Sequence, residues 1–175
     1  MIRKANIKDI ASVVKIYDAI LDNEEAGNVK IGWVRGVYPT IRTAEDALAK
    51  GSLFVCEDRG AIVGAAKIDQ EQVPEYADCN WAYRVSGDKV MVLHTLVVDP
   101  AYPRRGYGRE FVRFYERYAI ENGCPYLRMD TNQMNRVARK MYTQMGYREV
   151  GVVSCVFNGI PDVKLICFEK KQGPV

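Results

Sequence analysis

Val97-Val98-Asp99-Pro100-Ala101-Tyr102-Pro103-Arg104-Arg105-Gly106-Tyr107-Gly108-Arg109 is a β-rich run, then a basic turn with two glycines, then the start of an amphipathic helical pattern. The first turn of a helix leaves backbone N–H groups unpaired and pointing outward. With the positive end of the helix dipole and the neighbouring Arg104, Arg105 and Arg109, those donors make a cradle for a diphosphate. Glycine at 106 and 108 lets such a ligand approach the backbone with no Cβ in the way. Two familiar phosphate patterns do not fit. A Walker A loop needs Gly-Lys-Ser/Thr, which the chain lacks. A dinucleotide fingerprint needs a third glycine, and Phe111 stands in its place.

Upstream of this turn, Ile2 to Ala5 reads as a short strand. Ile7, Ile10, Val13, Val14, Tyr17 and Leu21 follow at helical spacing. Residues 31–40 are irregular and aromatic. Thr43-Ala44-Glu45-Asp46 reads as an N-cap with acids in the first turn of a short helix that Gly51 ends. Ser52 to Glu57 and Ala61 to Ile68 read as a hairpin across Asp58-Arg59-Gly60. Residues 69–88 have no clear period, and a loop of that length is either functional or mobile. Lys89 to Val98 is a strand. Downstream come a helix from Tyr107 to Glu121, a strand from Tyr126 to Thr131 and a helix from Asn135 to Met145. Val150 to Phe157 and Val163 to Phe168 close the chain as a hairpin across Asn158-Gly159. The succession β-α-α-β-β-β-α-β-α-β-β predicts an α+β sheet in a single domain over residues 1–175.

Composition narrows the classes further. No apolar run approaches the roughly 20 residues of a membrane span, and the N-terminus lacks a signal-peptide apolar core. A net charge of +3 does not call for nucleic acid. Five dispersed cysteines without a C-x-x-C pair fit reduced thiols in the cytoplasm, with Cys56, Cys155 and Cys167 as buried apolar residues. One histidine leaves a zinc cluster little to draw on, so no metal is expected. Homodimerisation is left open.

The Val98-Asp99-Pro100 and Arg104-Arg105-Gly106-Tyr107-Gly108 segments resemble the V-x-P and [QR]-x-x-G-x-[GA] pattern of the GCN5-related N-acetyltransferase (GNAT) family. Asp130-Thr131 through Asn135-Arg136-Val137-Ala138-Arg139-Lys140-Met141-Tyr142-Thr143-Gln144-Met145-Gly146-Tyr147 resembles that family's strand and N-x-x-A-x-x-[LM]-Y-x-[KQ]-x-G-[FY] helix. Pro103 departs from the pattern, and proline removes one backbone donor from the cradle. The resemblance implies a three-layer α/β/α fold around a mixed, mostly antiparallel, splayed sheet of about seven strands. It also implies acetyl-CoA as co-substrate, with its diphosphate on Arg104, Arg105 and the amides of Gly106, Tyr107, Gly108 and Arg109. Its pantetheine arm would lie along Leu96, Val97 and Val98, with Asn135 contacting the cofactor. An acetyl group would pass to a primary amine of a small molecule or a protein N-terminus by direct attack. A non-catalytic acyl-CoA-binding module on the same fold is the alternative.

The chemistry needs a proton for the departing thiolate, and a phenol can supply one because its pKa near 10 is close to a thiol's near 8.5. The resemblance gives that role to Tyr142, two helical turns after Asn135 on one helix face. Val137, Ala138, Met141, Tyr142 and Met145 also read as an apolar stripe. His94, the one imidazole, is a candidate base, and a regular strand would put it on the same face as Leu96. Asp130 and Glu71 are further acids that could take the proton. The arginines at 105, 109, 113 and 117 form a stripe, but Arg113 and Arg117 lie roughly 6 and 12 Å past Arg109 along the helix, beyond the cradle. Trp33 and Tyr38, ahead of Tyr76, Trp81 and Tyr83, are the expected lining of the acceptor site.

Overall fold

The computed structural model describes residues 1–173. It contains β1 (Ile2–Lys4), α1 (Ile10–Glu25), α2 (Ile41–Ala49), β2 (Leu53–Asp58), β3 (Ala61–Asp69), β4 (Val90–Val98), α3 (Tyr107–Glu121), β5 (Tyr126–Asn132), α4 (Arg136–Gln144), β6 (Arg148–Phe157) and β7 (Ile160–Lys171). The seven strands form one sheet in the order β1-β2-β3-β4-β5-β7-β6. Every pairing is antiparallel except β4 with β5. The single parallel step follows from α3, which carries the chain back across the sheet between those two strands.

Alternation along the strands sorts the core into two faces. Phe54, Ala66, Leu93, Leu127 and Met129 face α3 and α4, where they meet Phe111, Val112, Tyr115 and Tyr142. Leu53, Val55, Ala65 and Val97 face α1 and α2. On that same face, the far half of the sheet is covered by the segment between β3 and β4, with Tyr76 packed on Val90, Val92, Leu165 and Cys167. The three layers implied by the resemblance are present. No helix among the described residues is long and apolar enough to cross a membrane.

Local corrections have simple causes. α2 begins at Ile41, three residues early, because the Thr43 hydroxyl accepts from the Thr40 N–H at 3.0 Å and sets the cap at Thr40. Residues 70–88 are fastened rather than loose. Arg128 stacks on Trp81 at 4.0 Å and donates to the Tyr83 carbonyl at 2.9 Å. Its cross-strand partner Glu169 accepts from the Ala82 N–H at 2.9 Å. The same segment carries Cys79 to Cys167 on β7, and the two form a disulfide across 88 residues of sequence. The expectation of five unpaired thiols is therefore corrected; dispersion along the chain says nothing about adjacency across a sheet. Cys56 and Cys124 are buried free thiols.

Candidate active site

The β4–β5 ladder runs only from Val90 with Tyr126 to Leu93 with Met129. Beyond it β4 pairs with β3 alone and β5 with β7 alone, so the two strands part. The cause is in β4. Between the pairs Val97–Ala65 and His94–Lys67 it carries one residue more than β3, and Thr95 takes φ +50°. Such a bulge bends a strand and breaks its ladder. The parting opens a cleft of about 1380 Å³ that reaches from the glycine turn to the β6–β7 hairpin.

The bulge also inverts the side-chain order. Leu96 packs with the α3 cluster, whereas His94 shares a face with Lys67 and Asp69. A regular strand would have placed both on one side. His94 is not among the residues lining the cleft. Its Nε2 lies 3.0 Å from the Glu71 carbonyl and 3.4 Å from Asp69 Oδ1. Glu71 is also outside the cleft, held by Lys50 and Lys67, which lower its carboxyl below the usual range. Both residues are engaged with partners behind β4 and do not face the cleft.

At the other end of the cleft Gly106 caps α3 with φ +82°, a left-handed conformation that suits glycine. The first helical bond there is Glu110 N–H to the Gly106 carbonyl at 3.0 Å. The amides of Tyr107, Gly108 and Arg109 thus precede any intrahelical acceptor. Nothing would lie within 4 Å of a Cβ at Gly106, so the turn is open to a ligand. Gly108 has a different reason: a Cβ there would sit 3.2 Å from Met141 Sδ, so glycine lets α3 approach α4. Arg104 and Arg105 are exposed and make no side-chain hydrogen bond to any described residue. Arg109 donates to Gln144 on α4. The Tyr107 hydroxyl donates to Asp58 at 2.7 Å, which leaves its amide, not its ring, for the turn. Leu96, Val97 and Val98 line the cleft along the unpaired edge of β4.

On α4, Asn135 lines the cleft and caps the helix, its Oδ1 accepting from the Ala138 N–H at 3.1 Å. Tyr142 follows two turns later, with only 5% of its surface exposed. Its ring packs edge-on against Phe168 and Tyr147 at 5.4 and 6.2 Å, and the residue lines the cleft. No described residue hydrogen-bonds its hydroxyl. Burial, with Asp130 adding to it, raises that phenol above its ordinary value, so it is fully protonated near neutrality. The expected apolar stripe lacks Val137, which is 81% exposed at the rim.

The acceptor end is assembled from segments far apart in sequence. Glu24 on α1 accepts from the Ile31 and Gly32 amides at 2.6 and 3.0 Å and so fixes residues 31–40 across the sheet. Gly32 passes against the Asn132 side chain with no room for a Cβ. Trp33 and Tyr38 meet edge to face at 5.8 Å, and both line the cleft. The Tyr38 hydroxyl bonds Thr95 Oγ1, and burial pushes its phenol up to about 12. Phe157, Ile160, Val163 and Leu165 of the closing hairpin complete the wall. Tyr76 and Trp81 instead flank a second cavity of about 510 Å³ with Arg84 and Arg128. Thr95 escaped the sequence reading of the cleft; it gave no signal, because its positive φ is a property of the bulge. Tyr76, expected as acceptor lining, stands behind the cleft and reaches it through its hydroxyl, which donates to Asp130 Oδ2 at 2.7 Å across 54 residues of sequence.

Comparison with known proteins agrees with this geometry. Residues 16–147 match the family described as acetyltransferase (GNAT) family. An uncharacterized N-acetyltransferase of Bacillus subtilis is 28% identical over 148 residues, 85% of this chain and 89% of that protein. Another from Methanocaldococcus jannaschii is 29% identical over 121 residues, 69% of this chain; the match spans 48% of that longer relative. A GNAT-family acetyltransferase structure from Streptococcus agalactiae superposes with a TM-score of 0.83 at 18% identity, covering 99% of this chain and 96% of its own.

Proposed function

Because the chain belongs to the acetyltransferase (GNAT) family, we propose that it transfers an acetyl group from acetyl-CoA to the primary amine of a small molecule or a protein N-terminus by direct attack. The observation that carries the reading is the parted β4–β5 edge, which joins the unpaired α3 amides at one end to the unpartnered Tyr142 hydroxyl at the other.

The residues present fit acetyl-CoA. The open turn at Gly106 and the N-terminal amides of α3 suit a diphosphate, and Arg104 and Arg105 add unpaired positive charge. Arg109 joins them from its contact with Gln144. The unpaired edge of β4 from Leu96 to Val98 offers backbone donors and acceptors to the amides of a pantetheine arm. Bound acetyl-CoA supplies the acyl group as a thioester, a better acyl donor than an amide. Tyr142 gives its hydroxyl proton to the departing sulfur and regains one, by way of solvent, as the acylated nitrogen sheds its own; burial keeps the hydroxyl protonated at neutral pH while making it a weaker acid than a free phenol. Trp33 and Tyr38 flank the amine, and their faces attract an ammonium.

Tyr142→Phe tests the assignment because it keeps the ring and removes the proton. Thiol release from acetyl-CoA with an active amine should fall about 100-fold or more, while calorimetric CoA binding holds. Unchanged turnover would remove Tyr142 from the mechanism. CoA binding without thiol release for any amine would favour the non-catalytic acyl-CoA-binding module instead.

A further inference from the structure

Asp130 is the first residue of β5 beyond the last ladder pair, Leu93 with Met129, and it lines the cleft. Alternation puts it with Arg128 on the α1 face, in the territory of Tyr76 and Cys167. Tyr142 rises from α4 on the opposite face. The gap between the strands therefore has a phenol on one side and a carboxylate on the other. Tyr76 holds Asp130 Oδ2, and Oδ1 has no hydrogen-bond partner among the described residues. The other carboxylate in the cleft, Asp99, lies before the glycine turn and accepts from the Ala101 N–H at 2.9 Å.

Around Asp130 the wall is apolar: Trp33, Tyr38, Phe157, Ile160, Val163 and Leu165. Among the cations that line the cleft, Lys30 is exposed in the segment that leads to Trp33. A carboxylate so placed, with one neutral hydrogen bond, is poorly compensated until a cation arrives. Resting on the transferase reading above, we infer that Asp130 anchors the ammonium of a primary monoamine whose apolar or aromatic body lies against this wall, the nitrogen releasing one proton to solvent before its lone pair attacks the thioester. A polyamine would find no second carboxylate here and would meet Lys30. An α-amino acid would bring its own carboxylate up to Asp130. Burial raises the Asp130 carboxyl, opposed by the Tyr76 hydrogen bond and by His94, with Glu75 adding to the rise; an arriving ammonium would favour the charged form.

The test is a thiol-release assay with acetyl-CoA and four acceptors: phenethylamine, spermidine, leucine and a peptide with a free N-terminal alanine. Phenethylamine should give the highest kcat/KM. Asp130→Asn should raise its KM about 10- to 100-fold, the worth of a charge-assisted contact, while the KM for acetyl-CoA stays within about twofold. Calorimetric binding of phenethylamine to the CoA-saturated protein should weaken in parallel. Phenethyl alcohol, which keeps the body and lacks the charge, should bind the unmutated protein at least about 10-fold more weakly. That arm needs no variant and holds if Asp130→Asn does not fold. Preference for spermidine, leucine or the peptide would overturn this inference and leave the transferase intact. Equal binding of the amine and the alcohol, or an unchanged amine KM in Asp130→Asn, would do the same. Thiol release with none of the four would count against the transferase reading as well.

Discussion

The two ends of the cleft are built from different materials. The cofactor end uses backbone: amides at the start of α3, an open glycine and the bare edge of β4. Apart from Asn135 on α4, its contributors run from Leu96 to Arg109, and their side-chain ties elsewhere are those of Tyr107 to Asp58 and Arg109 to Gln144. The acceptor end uses side chains from α1, residues 31–40, the β4 bulge, β5 and the β6–β7 hairpin. A backbone site tolerates change in side chains but not in turn geometry. A side-chain site can be altered one wall at a time, so acceptor choice can vary while the cofactor cradle stays fixed.

This contrast can be broken from either end. The largest effect is expected from Arg104→Ala with Arg105→Ala. Two charge-assisted phosphate contacts at about 1.5–3 kcal/mol each should weaken CoA binding by about 100-fold or more at low salt, and less at high salt. A matching rise in amine KM would show that the two ends are not separable. Next, Gly108→Val forces a Cβ to within 3.2 Å of Met141 and should destabilise the fold. Overpacking of this kind costs about 1–3 kcal/mol, read from a urea midpoint.

Trp33→Ala should raise the amine KM several-fold, about the 0.5–2 kcal/mol of a cation–π contact, and leave CoA binding unchanged. An equal effect on both ligands would sink the division of labour. His94→Gln should alter turnover less than about twofold, as befits a residue outside the cleft. A large loss would restore the imidazole as a base.

A pH experiment addresses the wall between the two ends. Burial raises the phenols of Tyr17, Tyr38, Tyr76, Tyr115, Tyr142 and Tyr147. Their folded values exceed the unfolded value of about 10, so the stability they contribute is fully present below that pH. Above it the unfolded chain loses phenolic protons that the folded chain keeps. Stability should therefore fall from about pH 10 upward, for Tyr38 across the window up to about 12. Thermal unfolding followed between pH 8 and pH 12 measures this, and a flat profile would mean that the rings are hydrated.

Legibility in the sequence follows the same division. The glycine turn and the α3 start were readable because their geometry is set by neighbours in sequence, whereas Asn135 and Tyr142 were singled out by the family resemblance, and both line the cleft. The hairpin across Asp58-Arg59-Gly60 and the closing hairpin across Asn158-Gly159 were readable for the same reason, with Asn158 and Gly159 both at positive φ. The bulge was not: Thr95 is an ordinary strand residue by type, and one extra residue reverses every side chain after it. His94 was misplaced for that reason alone. The Tyr76–Asp130 hydrogen bond and the Cys79–Cys167 disulfide were hidden because each joins the fastened segment to a strand far along the chain.

That fastening has a consequence for motion. Glu169, on β7, holds the Ala82 N–H at 2.9 Å and the Tyr83 N–H at 3.4 Å, and Arg148 closes on it at 2.6 Å. These amides belong to a surface segment by sequence but to the sheet by bonding. In native-state hydrogen exchange they should open together with β5 and β7 rather than as a fraying loop. The segment packed behind the acceptor wall then shares one cooperative unit with the strands it covers, so that wall is held rigid from its far side.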